Sequence, residues 1–188
     1  MANSNGPRGL RAVRKLGNGF ISLTEYGIAT GTAAIYSGDV VELTGAGQEI
    51  SKAAAQNEDN IGVFAGCRYV AADGEIKFSG YWPGSVGATN AVALVYDDPD
   101  IVFEVQGDSV AAGDIGTLVD WNVGTANSTT GMSGLYAVVN GATGTTGKSL
   151  RIMRLANRPG NDYGAYAKIE VTFAEHAYKT GATGAGGV

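Results

Sequence analysis

The sequence has one cysteine (Cys67), one histidine (His176), four prolines and a charged fraction of only 16% over 188 residues, where ~25% is usual. A lone cysteine excludes an intrachain disulfide and reads as a small core residue rather than a nucleophile, so redox chemistry does not decide the compartment. A lone histidine excludes a histidine-rich metal site. Any Ser-His-Asp arrangement would have to be built on His176, which follows the last strong strand and is expected at the surface. No apolar run approaches the ~18 residues that span a bilayer, the longest being of the kind Ala91-Val-Ala-Leu-Val-Tyr96, so no membrane partner is expected. The N-terminal stretch lacks an apolar core and a cleavage site and does not read as a secretory signal.

Glycine is what the chain has in excess. Thirty glycines are about 16% of the residues, against a usual ~7%. That density disfavours long helices and supplies backbone positions for turns and bulges. Between the turns lie β-favouring segments near 20–25, 34–43, 62–69, 75–81, 91–96, 101–106, 117–121, 135–139, 150–155 and 167–174. Alternation is clearest in the last, where Ile169, Val171 and Phe173 share one face and Lys168, Glu170 and Thr172 the other. Only Ser51-Lys-Ala-Ala-Ala-Gln-Asn57 reads as helix, two turns at most, with Ser51 as a plausible N-cap. The expected fold is mainly β: a compact β-sandwich or partly closed barrel of about ten short strands. A chain of this length is one domain, with or without an arm, and buries roughly 70% of its unfolded surface.

Charge is unevenly placed. Residues 1–19 hold Arg8, Arg11, Arg14 and Lys15 and no acid, leaving nine basic residues against all 18 acids on the rest, a net −9. The division expected is a basic extended arm (1–19), a β-rich body (20–179) and a Gly-rich flexible tail (180–188). The arm reads either as a solvated tail or as a strap that orders on a partner. Four charges without interleaved aromatics are a weak footprint for nucleic acid, and an acidic body repels phosphate, so a protein surface is the better partner. Removing residues 1–15 is expected to leave the fold intact.

Several motifs invite a chemical reading. The stretch Ala142-Thr-Gly-Thr-Thr-Gly-Lys148-Ser149 fits a loose phosphate-binding loop, but no strand end gives a convincing magnesium-binding aspartate, Leu118-Val-Asp120 being the nearest. That motif needs a helix starting at the Lys-Ser. Here Leu150 and Ile152 alternate with Arg151 as in a strand, and Gly-Ala-Thr-Gly recurs at 181–184, so the stretch reads as a loop with Lys148 in solvent or at a subunit contact. No cofactor is expected. Tyr96-Asp97-Asp98-Pro99-Asp100 lacks the alternating ligand spacing of a calcium loop and reads as a solvated turn between strands. Asn127-Ser128-Thr129, a formal glycosylation acceptor, reads as a polar turn. The segments Ala34–Leu43 and Asp108–Leu118 echo one another, each with a Gly-Asp turn before a β-branched strand start: a faint internal repeat or, as the favoured reading, turn chemistry used twice. Trp82 and Trp121 sit at strand ends, where large rings either plug a small core or serve as interface anchors.

The "MANSNGPRGLRAVR" arm, the Ser-Gly-Asp-Val entry at 37–40, Ile61-Gly-Val-Phe-Ala-Gly66 and "RLANRPGNDYGAYAKIEVTFAEH" at 154–176 together resemble the small capsid decoration, or cement, proteins of tailed bacteriophages. The resemblance implies a non-enzymatic, β-rich virion protein, commonly a homotrimer, that binds the outer surface of an icosahedral head and staples neighbouring major capsid subunits. It also implies docking through Arg8, Arg11, Arg14 and Lys15. The long Gly-rich loops would equally serve another virion surface protein: a head fibre, a spike or a carbohydrate-binding β module.

Overall fold

The computed structural model describes residues 3–17, 19–45, 47–53, 60–84, 87–141, 143–144 and 148–178. The strands are β1 (Arg11–Lys15), β2 (Thr24–Ile28), β3 (Val40–Leu43), β4 (Glu49–Lys52), β5 (Asn60–Val70), β6 (Ile76–Ser79), β7 (Thr89–Tyr96), β8 (Ile101–Gln106), β9 (Ser109–Val110), β10 (Leu118–Asn127), β11 (Met132–Val138), β12 (Leu150–Leu155), β13 (Gly164–Ala165) and β14 (Lys168–Phe173). A single 3-10 turn, Ala112–Asp114, is the only helical element among the described residues. The expected mainly β, sandwich-like body is therefore what forms, with more and shorter strands than ten.

The chain makes two six-stranded sheets. In one of them β3 pairs with both β4 and β5, β4 with β2, β2 with β7, and β7 with β5, so five strands close a ring. The eleven-residue β5 makes this possible: its first residues bond β3 and its last ones bond β6. The ring encloses Phe64, Ile35, Ile50, Ile61 and Trp82. The other sheet, in the order β1-β8-β14-β12-β10-β11, curls into a half-barrel, and a bridge between Gly107 and Ala137 draws the end of β8 toward β11. Its core holds Trp121, Phe103, Phe173, Leu150 and Ile169, and Val40, Ala53 and Val63 of the ring pack into it, so the two sheets share a boundary. Each such side chain contributes about 1.5–3 kcal/mol when fully buried.

Two expectations are corrected, for Ser51 and for His176. Ser51 and Lys52 belong to β4, not to a helix, and the Ser51 hydroxyl donates to Glu42; residues 54–57 of that segment lie outside the described residues, as does the 180–188 tail. Strand β14 is buried on both faces, Glu170 and Thr172 included, because it is central in its sheet and its polar face is covered by arginine side chains. His176, expected at the surface, is fully buried. Beyond β14 the chain folds back, with Ala174 N–H donating to Ser149 O and Ala177 N–H to Asn60 O, and the imidazole packs edge-on against Phe173 at 5.6 Å.

The first residues are bound to the body. β1 is an edge strand on β8, Leu10 is 2% exposed within the half-barrel core, and the Asn3 side chain donates to Asp162 O and Ala165 O at 2.7 and 2.9 Å. The segment read as an arm ahead of the body thus completes its sheet. The crossing point is the turn Ser37-Gly38-Asp39. Leu10 N–H donates to Gly38 O, Gly38 N–H to Phe64 O, and Ser37 N–H to Gly131 O. Gly9 and Gly38 both have positive φ, and a Cβ on Gly9 would lie 2.4 Å from Gly38 O, so only glycine permits this approach. Beside it the buried Asp39 accepts from Tyr36 N–H and Ser133 Oγ and pairs with Lys52 at 2.8 Å. Asp114 repeats the local part of this pattern by accepting from Ala111 N–H, but Gly113 has no positive φ, so the echo is limited to the aspartate.

Candidate functional site

The phosphate-loop reading fails at its two chemical residues. Lys148 Nζ donates to Asp120 Oδ2 at 2.7 Å, and Ser149 N–H donates to Asp120 Oδ1 at 3.3 Å. Ser149 is buried and leads directly into strand β12, so the strand expected from Leu150 and Ile152 is present and no helix follows the lysine. Lys148 is engaged rather than free in solvent, because Asp120 on neighbouring β10 supplies a carboxylate with two local donors. Residues 142 and 145–147 lie outside the described residues.

The acidic turn is likewise internally engaged. Asp97 accepts from Thr24 Oγ1 and Tyr26 OH at 2.9 and 2.8 Å. Asp98 pairs with Lys15 and accepts from Asp100 N–H; the lysine contact holds the Asp98 carboxyl below its ordinary range, and Asp98 in turn raises Lys15. The turn does more than interrupt pairing, since it carries the chain from the ring (β7) to the half-barrel (β8). Asn127 caps its own turn, accepting from Thr129 and Thr130 N–H. Cys67 is buried, which pushes its thiol up to about 12. Among the described residues no group of three or more His, Cys, Asp or Glu side chains is placed to hold a metal ion, and no helix is long and apolar enough to cross a membrane. Trp82 and Trp121, 5% and 1% exposed, pack into the two cores of this chain.

The four basic residues near the N-terminus divide into two pairs. Arg14 lies 3.0 Å from Glu170 Oε2, and Arg154 holds the other oxygen of the same carboxylate at 2.7 Å. The Arg154 and Arg14 hydrogen bonds keep Glu170 below its ordinary range despite burial. Lys15 is taken by Asp98. Arg8 and Arg11 have no ion-pair or hydrogen-bond partner for their side chains among the described residues, and both are exposed.

These two arginines line a cleft of about 380 Å³ between residues 3–11, the end of β8 and residues 158–161. The strand register brings its charges together. Arg11 stands opposite Glu104, Glu104 opposite Glu170, and Glu170 opposite Arg154, a row across four neighbouring strands. Two carboxylates facing each other are unfavourable alone; Arg158, 2.9 Å from Glu104 Oε1, offsets one of them. At the cleft wall Gln106, 5% exposed, pins the N-terminal segment by accepting from Gly6 N–H and donating to Asn5 Oδ1, both at 2.9 Å, and Lys168 also donates to it. Burial, then the positive charge of Arg158, lower the Lys168 pKa.

Sequence reasoning found Arg8 and Arg11 but missed Glu104, Gln106, Arg158 and Lys168. The only signal was position: Lys168 and Glu170 alternate on one face of β14, and Arg158 precedes the Pro159-Gly160 turn. Nothing local says that these strands become neighbours of β1. Comparison with protein-family models, with curated proteins and with solved structures gave no match to this chain.

Proposed function

We propose that this chain is a capsid decoration protein: a virion structural protein that binds the outer surface of an icosahedral head, contacts the major capsid protein as a homotrimer and staples neighbouring capsid subunits. The resemblance carried by the N-terminal segment, the 37–40 and 61–66 strand entries and residues 154–176 names the role. The geometry in keeping with it is the fate of the polar groups. Carboxylates and ammonium groups that sequence reading could assign to chemistry are spent on each other, as in Lys148 with Asp120 and Lys15 with Asp98. What the surface offers instead is contact area: Arg8 and Arg11 at the cleft, and Ile76 and Phe78, 69% and 79% exposed, on edge strand β6. Several modest contacts of this kind become strong binding when subunits are linked, through effective concentration.

The carrying observation is that Arg8 and Arg11 have no partner among the described residues while Arg14 and Lys15 are neutralised within the fold. Docking charge therefore belongs to the first pair. Deleting residues 1–15 is not a clean test, since it removes the whole of β1 and takes Leu10 out of the core. Point substitution is. Heads lacking the chain, mixed with purified protein and pelleted, should bind wild type and bind Arg8→Ala/Arg11→Ala less; equal binding would remove the docking assignment.

A carbohydrate-binding surface module is the second reading, favoured by Tyr166, 38% exposed in the lining of the cleft. Copy number separates the two. A decoration protein occupies symmetry-equivalent sites over the whole head, whereas a spike or fibre is present in few copies.

A further inference from the structure

The cleft has more positive charge than its own acids neutralise. Arg8, Arg11, Arg158 and Lys168 face it, with Glu104 the one carboxylate among the described residues that line it, in a chain whose net charge is −5. Glu104 is held by Arg158, and Lys168 spends a donor on Gln106. The guanidinium groups of Arg8 and Arg11 spend no donor on any described residue. The walls are already fixed: Gln106 clamps Asn5 and Gly6, while Asn161 donates to Ala156 O and Lys168 O at 2.8 Å. An entering anion would not have to order this backbone first, which removes part of the usual cost of binding. Burial, and after it the neighbouring Arg158 charge, also lower the Lys168 pKa.

We infer that this cleft binds an acidic peptide segment of a partner protein, with adjacent carboxylates taken by the guanidinium groups of Arg8 and Arg11. In naming the partner as a protein the inference rests on the decoration reading; the anion site does not. A guanidinium fork pairs with a carboxylate through two parallel hydrogen bonds. A volume of about 380 Å³ lies near the small end of ligand sites, roughly 300–1,000 Å³, and suits a few side chains. A nucleic acid would have to lay an unbroken run of phosphates over a surface that is net negative outside residues 1–19, where each phosphate beyond the cleft is repelled.

The test is calorimetric titration of the full chain with a blocked oligoglutamate peptide and, separately, with inorganic phosphate, at low salt and at ~1 M salt, where screening acts within about 3 Å. The expected result is saturable binding of one peptide per chain that weakens with salt. Binding should be about tenfold or more weaker in Arg8→Gln/Arg11→Gln and unchanged in Lys77→Gln, a remote surface cation. The substituted arginines have no partners among the described residues, so the variant should keep its fold, checked by an unaltered circular dichroism spectrum. A second readout is the Lys168 Nζ titration by NMR, which should move to higher pH when peptide is bound. Absence of saturable binding, or undiminished binding by the double variant, overturns the inference, and phosphate displacing the peptide at equal concentration overturns its assignment to a peptide. Head binding is scored separately: a chain that binds peptide but not heads contradicts decoration alone, and one that binds heads but not peptide contradicts the cleft alone.

Discussion

Lys148 Nζ and Asp120 Oδ2 are 2.7 Å apart, with both side chains largely shielded from solvent. The pair joins the two residues that a nucleotide-binding reading would place on phosphate and magnesium, and it satisfies them within the fold. Lys148→Ala should therefore lower stability by about 1 kcal/mol, as for a partly shielded charged hydrogen bond. Asp120→Ala should cost more, because Ser149 N–H also loses its acceptor. Urea denaturation measures both. ATP with magnesium should give no binding heat in calorimetry, and heat that Lys148→Ala abolishes would contradict this account.

Gly38→Ala should destabilise by about 2 kcal/mol or more, since the residue has φ of 93° and a Cβ there would lie 2.8 Å from Arg8 O. The loss should also free the N-terminal residues, read as faster amide exchange at Leu10. Gly6→Ala is the control: a Cβ on Gly6 meets nothing within 4 Å, and its stability should stay within about 0.5 kcal/mol of wild type.

The contrast between these glycines shows what could be read from sequence and what could not. Glycine density and alternation at 169–173 announced a turn-rich β protein, and the segments at 101–106 and 150–155 match β8 and β12 residue for residue. These are local signals, set by residue type and by a period of two. Closure of the ring through β3 with β5, and the place of β1 beside β8, depend on contacts between distant residues. Nothing in Arg11-Ala-Val-Arg-Lys15 distinguishes an edge strand from a solvated tail. The same limit explains His176: its burial follows from the chain's return across Phe173. Charge asymmetry did find Arg8 and Arg11, but only the fold shows that Arg14 and Lys15 are already paired.

Glu170 predicts a pH dependence. Its carboxyl is held below the ordinary range by Arg154 and Arg14, so the folded state favours the ionised form more than the unfolded state does. The resulting stability is complete above the unfolded value of ~4.3 and declines as pH falls through the lower folded value. Glu170→Gln should cost about 1–2 kcal/mol at about pH 7. Near pH 2.5 the difference should be smaller, because that pH lies below the unfolded value and the ion-pair contribution is lost as pH falls toward the folded one. Urea midpoints at the two pH values test this, and an equal gap at both would contradict the ion-pair account.

Phe78→Ser and Ile76→Ser should leave folding almost unchanged, within about 0.5 kcal/mol, since both side chains are mostly in solvent on β6. If β6 is a contact surface of the assembled particle, the double variant should bind heads more weakly than wild type in the same pelleting measurement. Unchanged binding would remove β6 from the contact surface.

The central claim is tested most directly by electron cryo-microscopy of heads lacking the chain after incubation with purified protein. The account predicts density for it at symmetry-equivalent positions over the whole outer surface, bridging neighbouring major capsid subunits, with Arg8 and Arg11 facing the shell. Heads that remain bare, or density confined to a single vertex, would contradict it.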